Sequence, residues 1–231
     1  MLSKLKNPVV PLSLRTPITL KVCPLILMLS PTASRLPKNS FFMSKKENKM
    51  QKQVIVPLAN GVEELEAIGI IDILRRADLT VISAGIGRKK IVASRGTVIM
   101  ADILWENVLG KIFDAIVLPG GYNGTINLMK TTSVISFLKK HFEQGSLIAA
   151  ICAAPLVLDK CGITARQNIT CHPGVASNLT ASQYVNKRIV RNGKIITAQG
   201  PGVVFEFALT IVNILRGKQI AQKISREMII K

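Results

Sequence analysis

The sequence predicts an α/β protein built on a doubly wound, mostly parallel sheet with helices on both faces. Three observations predict it. Short β-branched runs alternate with amphipathic stretches along most of the chain. A strand, a helix and a second strand follow one another within about thirty residues, the span of a βαβ unit. Hydrophobic residues make up 48% of the 231, but aromatic residues only 4%. The core must therefore be built from Val, Ile, Leu and Ala, which suit strands buried on both faces.

The folded part opens at residues 53–58 (QVIVPL), a buried strand that ends before the turn Asn60-Gly61. Glu63, Glu64 and Glu66 then enrich the first turn of a helix, where acids complement the dipole, and Arg75-Arg76 close it. Its inward face is read as Leu65, Ile68, Ile71 or Asp72, and Ile73-Leu74. Residues 80–84 (TVISA) form the second strand. Residues 85–100 read as an excursion with two short extended pieces, near 91–93 and 97–100. A third buried strand spans 113–118 and runs into Pro119-Gly120-Gly121. A helix over 132–144 stops at Gly145. The strand at 147–151 (LIAAI) leads to a helix over 153–159 that Pro155 helps to open. An extended piece at 168–171, a hairpin around Asn192-Gly193, an apolar helix over 203–215 and a last helix over 219–228 complete the order.

Residues 1–49 differ from the rest, and the domain proper is expected over residues 50–231. The first 49 residues lack periodicity, carry six prolines (Pro8, Pro11, Pro17, Pro24, Pro31 and Pro37) and hold no acid before Glu47. They read as a disordered basic extension or an upstream start, with Met43 opening a natural alternative. Organellar targeting is the main competitor, and a secretory signal around residues 22–30 is a further one. The apolar run at 22–29 is broken by Pro24 and too short to span a bilayer. A cytoplasmic location is expected unless the extension targets the chain.

The formal charge is +18, and the part beyond the extension is still basic. Such a field favours anionic partners. No basic-aromatic interleave or nucleic-acid motif accompanies it, so nucleic-acid binding rests on charge alone. The four cysteines, Cys23, Cys152, Cys161 and Cys171, form no CxxC pair and no zinc spacing. Free thiols in a reducing compartment are expected, with no metal.

In open α/β sheets, ligands bind beyond the carboxyl ends of the strands. Three features fall there: the Glu-rich helix start, Pro119-Gly120-Gly121 and Cys152. Cys152 directly follows a buried strand, and the small Ala153 and Ala154 allow a tight turn into the next helix. Free N–H groups and the positive end of a dipole would stabilise its thiolate and lower its pKa. The plainer reading is a small core cysteine. Gly121 and Ala153 could supply two N–H groups as an oxyanion hole, although a pair of glycines also simply ends a strand. Glu63 and Glu64 read as a solvated first turn. Glu66, turned to the sheet edge, could lie beside the thiol with a raised pKa and carry protons. His172 competes with structural duty as a partner for Cys152, and His141 sits at a polar helix end.

Taken together, these stretches resemble the ThiJ/PfpI superfamily, in particular its DJ-one branch of parkinsonism-associated deglycases and bacterial YajL-type proteins. The matching pieces are Ala59-Asn60-Gly61-Val62-Glu63-Glu64-Leu65-Glu66, Ser94-Arg95-Gly96, Val117-Leu118-Pro119-Gly120-Gly121, residues 148–155, His172-Pro173, Gln199-Gly200-Pro201-Gly202 and Phe205-Glu206-Phe207-Ala208. The resemblance implies a flavodoxin-like homodimer in which Cys152 is nucleophile and redox-sensitive thiol. It further implies Glu66 as the protonated carboxyl beside it, Gly121 and Ala153 as oxyanion donors, and His172 as a nearby histidine. Arg76 and Arg95 match basic residues near the pocket and the dimer interface. The protease-like branch places His directly after the nucleophile. Ala153 stands there in this chain, which argues against peptidase activity. The branch implies cofactor-free glyoxalase or deglycase chemistry on methylglyoxal or on glyoxal adducts of proteins and nucleotides, in carbonyl and oxidative stress. The alternative is a redox-sensing chaperone whose Cys152 is oxidised to sulfinic acid.

Overall fold

The computed structural model describes residues 51–230. The extension at 1–49, its targeting alternatives and Cys23 lie outside the described residues. Among those residues, no helix is long and apolar enough to cross a membrane.

The chain runs β1 (Gln53–Leu58), α1 (Glu64–Arg76), β2 (Thr80–Gly85), the hairpin β3 (Lys90–Val92) and β4 (Val98–Met100), then β5 (Ile103–Leu104). There follow β6 (Ala115–Leu118), α2 (Tyr122–Lys130), α3 (Thr132–Glu143), β7 (Leu147–Ile151) and α4 (Pro155–Cys161). The last part holds β8 (Asn168–Ile169), β9 (Gln183–Tyr184), β10 (Ile189–Asn192), β11 (Ile195–Ala198), α5 (Val204–Arg216) and α6 (Lys218–Glu227). Seven strands make the main sheet in the order β10-β11-β7-β6-β1-β2-β5. Every pairing in it is parallel except β10 with β11. The expected flavodoxin-like α/β architecture is what the chain adopts.

Alternation along the buried strands divides the core into two layers. Val54, Val56 and Leu58 of β1 face α1, α5 and α6, whereas Ile55 faces the other way. On that second side Leu128 of α2, Phe137 and Leu138 of α3, and Val157 and Leu158 of α4 close the core. Helices therefore cover both faces of the sheet.

Several local expectations are corrected. The inward face of α1 is Glu66, Ala67, Ile70, Ile71, Ile73 and Leu74. Leu65 and Ile68, read as inward, are about half exposed. The helix is apolar on two faces, so composition alone did not say which one meets the sheet. The helix α2 and the edge strand β5 were not anticipated. The helix after Cys152 begins at Pro155 rather than Ala153. His141 is wholly buried: its Nε2 accepts the Phe113 N–H, Nδ1 meets the Phe137 carbonyl, and Phe137 stacks on the ring at 4.0 Å. It is a core histidine despite its basic neighbours in sequence.

Candidate active site

Parallel pairing brings the ends of β1, β6 and β7 to one sheet edge. At the end of β7, Cys152 extends the ladder by one bond, its N–H reaching the Ala198 carbonyl at 2.9 Å. Its φ is 64°, a left-handed conformation that non-glycine residues rarely adopt. Such strain persists only where the surroundings enforce it, and it is concentrated at functional sites. Here the Ala154 N–H closes the turn onto the Ile151 carbonyl at 3.0 Å. Ala153 and Ala154 are both buried, and Ala153 packs against Leu156, Cys171 and Val175. A larger residue after Cys152 would have to displace that cluster.

Glu66 sits in the first turn of α1 and is 0% exposed. Its Oε2 accepts the Gly120 N–H at 2.7 Å, and the carboxyl lies beside the Cys152 side chain across Gly120. Its Oε1 is buried with no further partner. Burial, the largest cause, pushes this carboxyl up to about 7, and the neighbouring Glu63 charge adds to the effect. Glu63 is not merely solvated, as the sequence suggested. It is the N-cap of α1, accepting the Glu66 N–H at 2.6 Å. Glu64 is likewise engaged: it accepts from Ser94 Oγ at 2.8 Å and from the Arg95 N–H at 2.9 Å, tying the β3–β4 turn to α1.

The thiol differs from expectation. Burial and the Glu66 carboxylate push Cys152 up to about 12, against the pull of the Gly121 and Ala153 N–H groups. The helix start that was expected to lower its pKa lies further along, at Pro155. The two acids therefore titrate as a pair and hold one proton between them from about pH 7 to about pH 12. With that proton on Glu66, the carboxyl donates to sulfur, and Gly121 and Ala153 donate as well.

Gly120 enforces this closeness. A Cβ there would meet Cys152 Cβ at 2.6 Å and both Glu66 Oε2 and the Ile151 carbonyl at 2.8 Å. Gly121 has φ 87° and starts α2, and a Cβ on it would collide with the backbone of Gly61 and Glu63. The thiol opens into a cleft of about 350 Å³, whose walls include Arg95, Gly121, Tyr122, Asn123, Ala153 and His172. A somewhat larger cavity, about 460 Å³, lies elsewhere around Asp114, Gly145 and Lys194, and no cysteine lines it.

His172 donates its backbone N–H to the Cys152 carbonyl at 2.8 Å. Its Nδ1 accepts the Gly174 N–H at 3.1 Å, which places the proton of the neutral ring on Nε2. The ring lines the cleft, but no described hydrogen bond links it to Sγ. Arg95 reaches the cleft; Arg76 does not. Arg76 closes the far end of α1, ten residues from Glu66, and pairs with Asp72 at 2.8 Å. Cys161 and Cys171 are both buried, Cys171 behind Ala153, and neither lines the cleft. Tyr122 and Asn123 were missed because the helix carrying them was missed.

Comparison with known proteins gives the family of the chain. Residues 52–214 match the model of the DJ-1/PfpI family. The chain is 38% identical over 184 residues to Protein dj-1beta of Drosophila melanogaster, covering 78% of this chain and 98% of that one. The crystal structure of that fly protein superposes with a TM-score of 0.77, covering 79% of this chain and 100% of its own. The chain is 37% identical over 172 residues to the glutathione-independent glyoxalase DJR-1.2 of Caenorhabditis elegans, covering 73% and 91% of the two. It is 36% identical over 180 residues to Protein DJ-1 homolog B of Arabidopsis thaliana, covering 77% of this chain but only 41% of that longer protein. A strained cysteine over a buried carboxyl, and a family match across most of the described residues, lead to one conclusion: this chain is a member of the DJ-1/PfpI family.

Proposed function

We propose that this protein is a cofactor-free glyoxalase that converts methylglyoxal, free or as an early adduct, to lactate. The observation that carries the reading is the buried Glu66 carboxyl held against Cys152 across Gly120, with Cys152 opening into a small cleft. A homologue named as a glyoxalase supports it.

The reaction starts with the shared proton on Glu66. The thiolate attacks the aldehyde carbon, a C–S bond forms, and the carbonyl electron pair moves to oxygen. The Gly121 and Ala153 N–H groups support the oxyanion, and Glu66 gives it a proton. The Glu66 carboxylate then takes the proton from the former aldehyde carbon and returns it to the adjacent carbon, while the hemithioacetal hydroxyl gives its proton, relayed through His172, to the neighbouring oxygen, and the product is a lactoyl thioester. Water adds to that carbonyl, loses a proton to Glu66 and expels the thiolate. One water is consumed per lactic acid, with no net oxidation. From an amine adduct the free amine leaves as well. His172, with its Nε2–H, is assigned as a second donor in the proton transfers.

The test is lactate formation from methylglyoxal by wild type, Cys152→Ala and Glu66→Gln. Both variants should lose turnover, and a Cys152→Ala protein that keeps the wild-type rate removes the mechanism. A second reading uses the same donors. The two N–H groups and the Glu66 O–H form an anion cradle around Sγ that suits a sulfinate made by two equivalents of peroxide. Intact-mass measurement after peroxide treatment tests it, and no gain of two oxygens at Cys152 rejects it. A homodimer is proposed as the working assembly, since Leu65 and Ile68 of α1 are exposed beside Phe205 of α5. Sedimentation at micromolar concentration checks that.

A further inference from the structure

The cleft over Cys152 is not closed on the side of α2. A second chamber of about 510 Å³ adjoins it, and Gly61, Ser94 and Asn123 line both. One wall is the stretch Val92–Ser94 of the hairpin. The other is a single stripe of α2: Asn123, Ile126, Asn127 and Lys130, at the i, i+3, i+4 and i+7 spacing that puts residues on one helix face. The stripe starts at the cleft and runs away from it. With a rise of about 1.5 Å per residue, Lys130 stands about 10 Å further along than Asn123.

The chemistry of this chamber is specific. Asn60 is committed to the wall: its Oδ1 accepts the Val92 N–H at 3.0 Å, and its carbonyl accepts Asn127 Nδ2 at 2.9 Å. No described hydrogen bond engages the Asn123 side chain, and no described salt bridge engages Lys130. The lining holds one cation and no carboxylate. Amide groups at the near end suit a peptide-like body, which both donates and accepts. A lone lysine at the far end suits one carboxylate. A phosphate is poorly matched, because a single lysine without an arginine fork or a second cation offers one point charge to a dianion.

We infer that this chamber binds the body of a larger substrate: the peptide-sized, carboxylate-bearing part of an α-oxoaldehyde adduct whose carbonyl carbon is held at Cys152. The inference rests on the glyoxalase reading of the cleft. Methylglyoxal alone would leave the chamber unused. A cysteine-containing tripeptide reaches across it and places its terminal carboxylate against Lys130.

The experiment uses the full chain, the wild type with Lys130→Ala and Lys130→Glu. Turnover is measured on methylglyoxal, on its hemithioacetal with such a tripeptide, and on the same tripeptide capped as a C-terminal amide. Calorimetry measures binding of the unreactive N-lactoyl tripeptide. Lys130→Ala should weaken N-lactoyl tripeptide binding by roughly fivefold and raise KM for the carboxylate adduct by a similar factor, with kcat kept. Lys130→Glu should weaken both further. The amide-capped adduct should show no response to either variant, and methylglyoxal turnover should stay at the wild-type rate. Equal binding of the N-lactoyl tripeptide to wild type and Lys130→Glu, or no binding to either, overturns the proposal. Tripeptide binding that responds to Lys130 in a protein that makes no lactate supports the chamber and rejects only the glyoxalase reading.

Discussion

Replacing Glu66 by Gln should stabilise the fold in mild alkali while stopping the chemistry. The carboxyl is 0% exposed and is pushed from 4.5 up to about 7, chiefly by burial. Below pH 4.5 it is protonated folded and unfolded alike, and the site carries no charge penalty. Between 4.5 and about 7 the folded chain keeps a proton that the unfolded chain has released. Stability from this group is thus fully present in acid and is lost as pH rises through the folded value. Once the loss is complete, it amounts to about 3 kcal/mol. A Gln side chain is of the same size, can accept the Gly120 N–H through its amide oxygen, and never ionises. Urea unfolding at pH 4 should therefore show the two proteins within about 1 kcal/mol of each other. At pH 8.5 the variant should be more stable by about 3 kcal/mol. Its lactate formation should fall by about a hundredfold or more, since an amide cannot shuttle protons. A stability difference that is the same at both pH values would refute the assignment of a buried, ionising carboxyl at this position.

Gly120→Ala should cost about 1–3 kcal/mol in urea unfolding and reduce lactate formation by about a hundredfold, because the new methyl must push Cys152 and Glu66 apart; a variant with normal turnover would mean the pair tolerates separation. Asp159, only 4% exposed, accepts N–H bonds from Thr180, Ala181 and Ser182 and the Thr180 hydroxyl at 2.9 Å. Asp159→Ala should therefore destabilise by about 2–4 kcal/mol and raise proteolysis within 165–185, read by limited digestion. Iodoacetamide followed by peptide mapping should label Cys152 and spare the buried Cys161 and Cys171. Labelling of all three at similar rates would contradict their burial.

Strands β1 and β7 were legible residue for residue, because a short β-branched or Ala-rich apolar run bounded by turn residues has few other uses. Helix α2 was not. Asn123, Gly124, Thr125 and Asn127 are weak helix formers, so intrinsic preference pointed to a loop. Tertiary contact overrides it: Gly124 is needed where α2 crosses Val62, since a Cβ there would meet the Val62 backbone at 2.7 Å. Strand β5 has only two residues and takes its order from pairing with Ala84 and Gly85. At the site, Cys152, Glu66, Gly121, Ala153 and His172 could be named from order and spacing, and Arg95 only from the family resemblance. The titration of the thiol could not, because it depends on how deeply Glu66 is buried under it. Arg76, matched to the pocket or the dimer interface, lies at the end of α1 away from the cleft, and a sequence match did not distinguish the two places.

The glycine beneath the thiol has an evolutionary consequence. At Gly120 the distance between Cys152 and Glu66 is set by main chain, not by a rotamer that mutation could adjust a little at a time. Any added atom there changes the chemistry abruptly, so the reacting pair offers no gradual route to a new activity. Change is open only at the rim, where Tyr122, Asn123 and Lys130 are exposed and can be exchanged one by one without disturbing the sheet. Relatives built on this plan would be expected to diverge in what they admit long before they diverge in what they do to it.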